Sequence, residues 1–372
     1  MKFSRFLWLN IALASGVITN ANAQEKLEVG MVGLFSLSSF NRPDPIVLGS
    51  SQDPAINGFN LQEFELNFKA PIDSTFEGDA SLALTENSVL VEEATMRTVN
   101  LPAGIQFRGG EFLTDFGLDN PTHQHDLEFV NRPLISGRFF GGRQLRNPGI
   151  ESGVEFPEKI LGHLRLVISA QDSTGESAVS FLGPRGVAMR GPVHYLYLAR
   201  LQDSLTIKSA VIELGASIAT GPNESTGNSQ TLGGRTNLFG ADMRLHFLEN
   251  SALSRLSLQG EYMRRNFLAP SGLLVDDGVY LEALYNLNRW TTGLRLDFVS
   301  NKNPPVNVSN QFSDNDLQSR IRYSPVITYY PSDYSKLRFQ FDYDSLSNLS
   351  NAQQVLTVQY AFSIGSHGAR KL

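Results

Sequence analysis

Residues Gln353–Gly365 read QQVLTVQYAFSIG. Side chains alternate along an extended chain, so Leu356, Val358, Tyr360 and Phe362 share one face and Thr357, Gln359 and Ala361 the other. A soluble sheet would cover the apolar face with another layer, yet only a short polar tail, 366–372, follows this strand. An alternating strand ending on an aromatic, near the end of an exported chain, predicts an all-β fold of the transmembrane antiparallel β-barrel kind.

Export is read from the other end. Lys2 and Arg5 form a basic segment, Phe6 to Val17 a mostly apolar one, and Ala21-Asn22-Ala23 a small-x-small cleavage site. Residues 1–23 are therefore expected to be a signal peptide and 24–372 the mature barrel, placed in the cell outer membrane. After Gln24 no apolar run approaches the ~20 residues of a membrane helix. There are no cysteines, and a barrel closed by its own hydrogen bonds does not need them. The chain has 31 basic against 37 acidic residues. Without Lys2 and Arg5 the net charge is near −8, and no basic stretch suggests a nucleic-acid partner.

Candidate strands recur at 27–35, 58–70, 75–84, 88–100, 104–112, 150–156, 163–171 and 192–201. The second half adds 205–219, 237–248, 253–266, 278–286, 290–300, 318–331, 336–346 and 353–364. The expectation is about sixteen strands, with 14 or 18 as alternatives, an even number suiting both termini on one side. Short turns are expected at Pro71–Ser74, Leu101–Gly104, Pro157–Gly162, Gln202–Ser204, Glu249–Ala252, Asn286–Trp290 and Pro331–Ser335. They alternate with longer links at Ser36–Asn57, Phe112–Gly149, Asp172–Gly191, Gly221–Thr236, Phe267–Asp277 and Asn301–Leu317, with Thr85–Ser88 and Ser347–Ala352 as short exceptions. The terminal strand should pair with Leu27–Phe35 and close the barrel.

Apolar and charged residues also separate by face. Trp290, Leu294, Leu296 and Phe298 oppose Arg295 and Asp297; Ile321, Tyr323, Ile327 and Tyr329 oppose Arg320 and Arg322; Phe339, Phe341 and Tyr343 oppose Arg338 and Asp342. Facing lipid, each charge would cost about 2–4 kcal/mol at mid-bilayer, so the charged faces should look inward onto water. A soluble sheet with one wet face is the alternative.

The long link 113–149 is the main candidate functional element, since loops of that length are usually functional or disordered. It carries His123, His125, Phe129, Arg132, Arg138, Phe139, Phe140, Arg143 and Arg146. Folded into the barrel it would set a constriction; lying outside it would shield the mouth. Arg108, Arg244, Arg295, Arg320, Arg322 and Arg338 are expected to join the lumen wall, and rings of arginine favour anions. Glu63, Glu65, Glu261, Asp297 and Asp342 share that lumen and weaken the field. His123-x-His125, with Asp126 beside it, is a weak candidate metal pair that lacks a third histidine nearby, so no metal and no cofactor is assigned. No Gly-x-Ser-x-Gly elbow or His-Glu-x-x-His helix suggests an enzyme. The expected surroundings are outer-membrane lipid and lipopolysaccharide, with the barrel-assembly machinery inserting the chain and small solutes or ions passing through it. A non-conducting barrel whose loops contact a partner or glycan is the alternative.

Three segments carry a family resemblance: EEATMRTVNLPAGIQFRGGEFLTDFG (92–117), HQHDLEFVNRPLISGRFFGGRQLRNPGIESGVEFP (123–157) and QYAFSIGSHGARKL (359–372). They resemble bacterial outer-membrane porins of the phosphate-selective and zinc-regulated group. The resemblance implies one barrel per chain, diffusive uptake of small solutes, a homotrimer as an option and a periplasmic tail at 366–372. It also makes Phe362 the aromatic that signals assembly. The chain has Arg370 and Leu372 where relatives tend to have a histidine and an aromatic, so no metal role is carried over to His367. Substrate identity does not transfer.

Overall fold

In the computed structural model the described residues are 27–47, 49–84, 89–157, 162–183, 191–223, 234–248, 254–269, 272–301 and 318–365. The expected leader, 1–23, and the tail, 366–372, lie outside them.

Among the described residues sixteen strands form one closed barrel: β1 (Glu28–Phe40), β2 (Gly58–Pro71), β3 (Phe76–Leu84), β4 (Val89–Thr98), β5 (Ile105–Leu113), β6 (Arg146–Glu155), β7 (Arg165–Asp172) and β8 (Tyr195–Ile207). They continue with β9 (Ala210–Asn223), β10 (Gly234–Leu248), β11 (Ser254–Ala269), β12 (Gly272–Leu287), β13 (Trp290–Asn301), β14 (Arg320–Ser332), β15 (Ser335–Leu346) and β16 (Gln353–Gly365). Each strand pairs antiparallel with its sequence neighbours, and β16 pairs with β1 from Gly30↔Gly365 to Phe40↔Val355. At this seam the Phe362 ring lies over Gly33, where an added Cβ would meet it at 2.6 Å, and stacks on Phe35 at 6.2 Å. Closure removes the unpaired edges that an open sheet would leave.

The faces divide as the alternation requires. Along β16 Leu356 and Tyr360 are exposed while Thr357, Gln359 and Ala361 are buried. Arg295, Asp297, Arg320, Arg322, Arg338 and Asp342 are buried on the inward side, and Trp290, Leu294, Phe298, Ile321, Phe339 and Tyr343 are exposed on the outward side. Aromatics mark both ends of this belt: Trp290 contacts Tyr329 at 4.7 Å near the turns, and Tyr323 contacts Tyr343 at 6.4 Å nearer the loops.

Several connections differ from the sequence reading. The strands beside the long loop run further than expected, leaving 114–145 as the loop rather than 113–149. Gln202–Ser204 is strand, and the reversal falls at Lys208-Ser209, where Lys208 adopts φ 53° and Ile207 pairs with Ala210. Phe267–Asp277 is not a long link: β11 and β12 pair up to Ala269↔Gly272. The two aspartates that looked loop-like belong to β12, where Asp276 stands opposite Arg265 in register and forms an ion pair with it.

Two irregularities position the site described next. Between β1 and β2 the register passes from Leu34↔Glu63 to Phe35↔Leu61, so Gln62 is a bulge residue. Between β3 and β4 it passes from Ser81↔Glu93 to Leu82↔Val91, which makes Glu92 one as well. A bulge breaks the two-residue alternation and turns adjacent side chains to the same side. Gln62 and Glu63 are both buried on the inward side, and Glu92 and Glu93 both reach the loop.

Candidate functional site

Residues 114–145 are bonded to inward side chains around the barrel. The Arg338 guanidinium donates to the carbonyls of Phe129 (3.0 Å) and Leu127 (2.7 Å), and Arg295 to that of Asn131 (2.8 Å). Arg322 donates to the Arg132 carbonyl, and Gln340 accepts from the Val130 N–H at 2.8 Å. Further along the same wall Glu261 of β11 accepts from the N–H groups of Leu118 (3.1 Å) and Asp119 (3.2 Å). The backbone approaches so closely here that a Cβ on Gly117, itself at φ +67°, would stand 1.6 Å from the Glu261 carboxylate. Buried carbonyls and N–H groups of a loop need such partners, and wall arginines supply many of them.

The loop is also held by apolar packing. Pro133 precedes the helix α1 (Leu134–Phe140), and Gly141 at φ 78° ends it, its N–H bonded to the Gly137 carbonyl. Leu134, Ile135, Phe139 and Phe140 form a buried cluster with Phe116, Phe181 and the inward residues Leu196, Leu198, Leu238, Met263, Tyr280 and Val299. A helix buried on every side suits an interior position. Within this apolar surround Asp276 pairs with both Arg265 (2.8 Å) and Arg138 (3.3 Å), all three side chains fully buried.

At the other end of the loop the short turn Gln124–Asp126 carries the two histidines to the bulged strands. His125 Nδ1 lies 3.0 Å from Glu65 and 3.5 Å from Glu63; His123 Nδ1 lies 3.6 Å from Glu65 and 3.5 Å from Glu92. The outer ring nitrogens face other carboxylates, His123 Nε2 towards Glu93 at 3.1 Å and His125 Nε2 towards Asp126 at 3.6 Å. Burial alone would lower both imidazole pKa values, but the carboxylates outweigh it. His125 is raised to about 10 and His123 well above its usual value. Gln52, from the link between β1 and β2, donates to the remaining oxygens of Glu63 (3.1 Å) and Glu92 (3.0 Å). In the sequence the histidine pair and Asp126 stood out as a possible metal group, and Glu63 and Glu65 only as lumen residues. Glu92 and Glu93 were missed, because a strand read by alternation sends one of them to lipid.

The arginines singled out from the sequence occupy varied positions. Arg132 is buried against Asp119 at 3.3 Å, Arg138 against Asp276, and Arg146 lies 3.6 Å from Glu111 and 3.8 Å from Glu92. Arg143 is more exposed and meets Glu176 at 2.8 Å. Arg108 pairs with Glu151 at 3.0 Å, Arg320 with Asp344 at 2.6 Å, and Arg322 with Asp297 at 3.3 Å. Arg244, paired with Glu213 at 3.2 Å, and Arg295 border a cavity of about 330 Å³ between the loop and the wall. Asp119, Asp126, Glu128, His246, Arg255 and Glu282 also line it. A second cavity, about 160 Å³, lies beside Arg97, Arg108, Asp115, Glu151 and Arg165. Both mix positive and negative charge.

The architecture and the charged interior define a class: closed sixteen-stranded antiparallel barrels with an apolar outer belt. Solved structures of that class are similar to this chain. The outer membrane channel DcaP of Acinetobacter baumannii is 11% identical, with a TM-score of 0.59 over 93% of this chain and 99% of its own. The anion-selective porin from Comamonas acidovorans is 9% identical, with a TM-score of 0.58 over 91% and 100%. A trimer form of OmpT, an outer membrane protein of Vibrio cholerae, is 9% identical, with a TM-score of 0.57 over 91% and 99%. At such identities the likeness is one of fold. In sequence the chain is 27% identical over 334 residues to an uncharacterized protein of Aquifex aeolicus, covering 83% of this chain and 69% of that one. No protein-family model matches.

Proposed function

We propose that the chain is an outer-membrane porin, exported by residues 1–23, through which small hydrophilic solutes or ions diffuse passively. The observation that carries this is the division of one closed barrel into an apolar outward belt and a charged inward face bordering a cavity of about 330 Å³. Such a face has no role against lipid and would be costly in a dry core. Residues 114–145 are assigned as the constriction, with water passing beside the loop. Arg244 and Arg295 would line the path. Arg132, Arg138 and Arg146 would instead hold the loop. Selectivity is proposed to be weakly anionic, because the lining arginines stand beside carboxylates. The reading includes no enzymatic activity. It places the chain beside the phosphate-selective and zinc-regulated porins on the segments 92–117, 123–157 and 359–372, without assigning a solute. A homotrimer is proposed by analogy with the trimer form of OmpT.

Purified, refolded protein in planar bilayers should give stepwise conductance, with a reversal potential in a salt gradient on the anion side. Arg244→Glu with Arg255→Glu should move that potential towards cations. Repeated ion-impermeable preparations would sink the proposal. The buried apolar cluster around α1 favours a second reading, a barrel sealed by its loop. Liposome swelling with small sugars separates the two, since a sealed barrel admits none.

A further inference from the structure

We propose that Glu65, His123 and His125 form a binding site for one divalent transition-metal ion of the zinc type, which fastens residues 114–145 to the barrel wall. The site has the chemistry and the spacing. Zinc–nitrogen and zinc–oxygen bonds of about 2.0–2.1 Å place neighbouring donors of a tetrahedral site about 3.3 Å apart. Here Glu65 Oε2 stands 3.0 Å from His125 Nδ1 and 3.6 Å from His123 Nδ1, and the three donor atoms lie within 4.8 Å of one another. Glu63 Oε2, 3.5 Å from His125 Nδ1, or Glu92 Oε2, 3.5 Å from His123 Nδ1, can supply the fourth donor.

Three further observations distinguish this pocket from a group of acids. Glu65 Oε2, Glu63 Oε2 and His123 Nδ1 are buried and make no well-aligned hydrogen bond, and they stand within 3.0–3.6 Å of one another's imidazole or carboxylate partners around one small volume. Gln52 holds the outer oxygens of Glu63 and Glu92 and so leaves their other oxygens facing the centre. Each imidazole turns Nδ1 inward and Nε2 towards an outer carboxylate, Glu93 or Asp126. That is the arrangement in which a second carboxylate orients a metal-bound histidine and raises its basicity. Two imidazoles with carboxylates suit zinc and its first-row neighbours better than calcium or magnesium, which take oxygen alone. The inference does not depend on conduction.

The test uses the refolded, full mature chain, stripped with a chelator and then equilibrated with Zn²⁺. Metal content after desalting should be one zinc per chain, and Co²⁺ in its place should show the visible absorption of a tetrahedral site. Glu65→Gln and the double variant His123→Ala/His125→Ala should remove both signals while keeping the heat-modifiable gel mobility of a folded barrel. Glu93→Gln, which replaces the orienting carboxylate while leaving the three ligands and an amide oxygen for the Leu113 N–H, should weaken zinc by about 10–100-fold. Folded wild-type protein that retains well under one zinc per chain would overturn the proposal, whatever the variants do. So would undiminished affinity in the folded double variant.

Discussion

Two of the attachments that hold the loop 114–145 to the wall work by opposite means. At α1, Leu134, Phe139 and Phe140 are packed among inward Leu, Met and Val side chains, with one buried carboxylate, Asp276, shared by two arginines. At the Gln124–Asp126 turn the contacts are between two imidazoles and the carboxylates of β2 and β4. The first attachment depends on excluding water. The second has an excess of carboxylate and depends on what cation, proton or metal, is there to balance it. One end of the loop is therefore a fixed anchor and the other an adjustable one.

Breaking the fixed anchor should have the largest effect. Asp276→Asn leaves the Arg138 and Arg265 guanidinium groups buried beside a neutral amide, a loss of about 3–5 kcal/mol. Hydrogen exchange at 134–140 should accelerate by at least a hundredfold, and an unchanged rate would remove the anchor from the account. Phe139→Ala, at a fully buried position, should cost about 3–5 kcal/mol through the cavity it leaves. Its effect should likewise be confined to the α1 end. The adjustable anchor gives a smaller, conditional change. Free zinc at a hundred times its Kd should add about 2.7 kcal/mol of protection around 123–126 and nothing at 134–140. Equal protection at both ends would mean the two attachments are not separate. The smallest effect belongs to the exposed wall pair of Arg97 with Glu77. Arg97→Ala should change barrel stability by under about 1 kcal/mol in urea unfolding.

Alternation made most of the barrel legible in the sequence. Leu356, Tyr360, Phe298 and Ile321 face outward, Arg295, Arg322 and Arg338 inward, and β16 closes on β1 as the pattern requires. What failed were connection bounds, where strands run on past the last clear alternation. Asp276 and Asp277 looked like a link, but an inward charge with a register partner is compatible with a strand in this class of barrel. The candidate site was half legible. His123 and His125 stand out as a pair, whereas their partners depend on bulges at Gln62 and Glu92. No residue type marks those bulges, because each arises from how two strands fit together. The arginines were legible as inward residues but not as donors to loop carbonyls, which depends on where 127–132 comes to lie.

The central claim is that the barrel is a channel narrowed by residues 114–145. Single-channel conductance tests it most directly, comparing the wild type with a variant in which 123–143 is replaced by a short Gly-Ser link. The account predicts small steps from the wild type and steps several-fold larger from the variant. Steps of equal size in both would contradict it, as would a folded variant that carries no current.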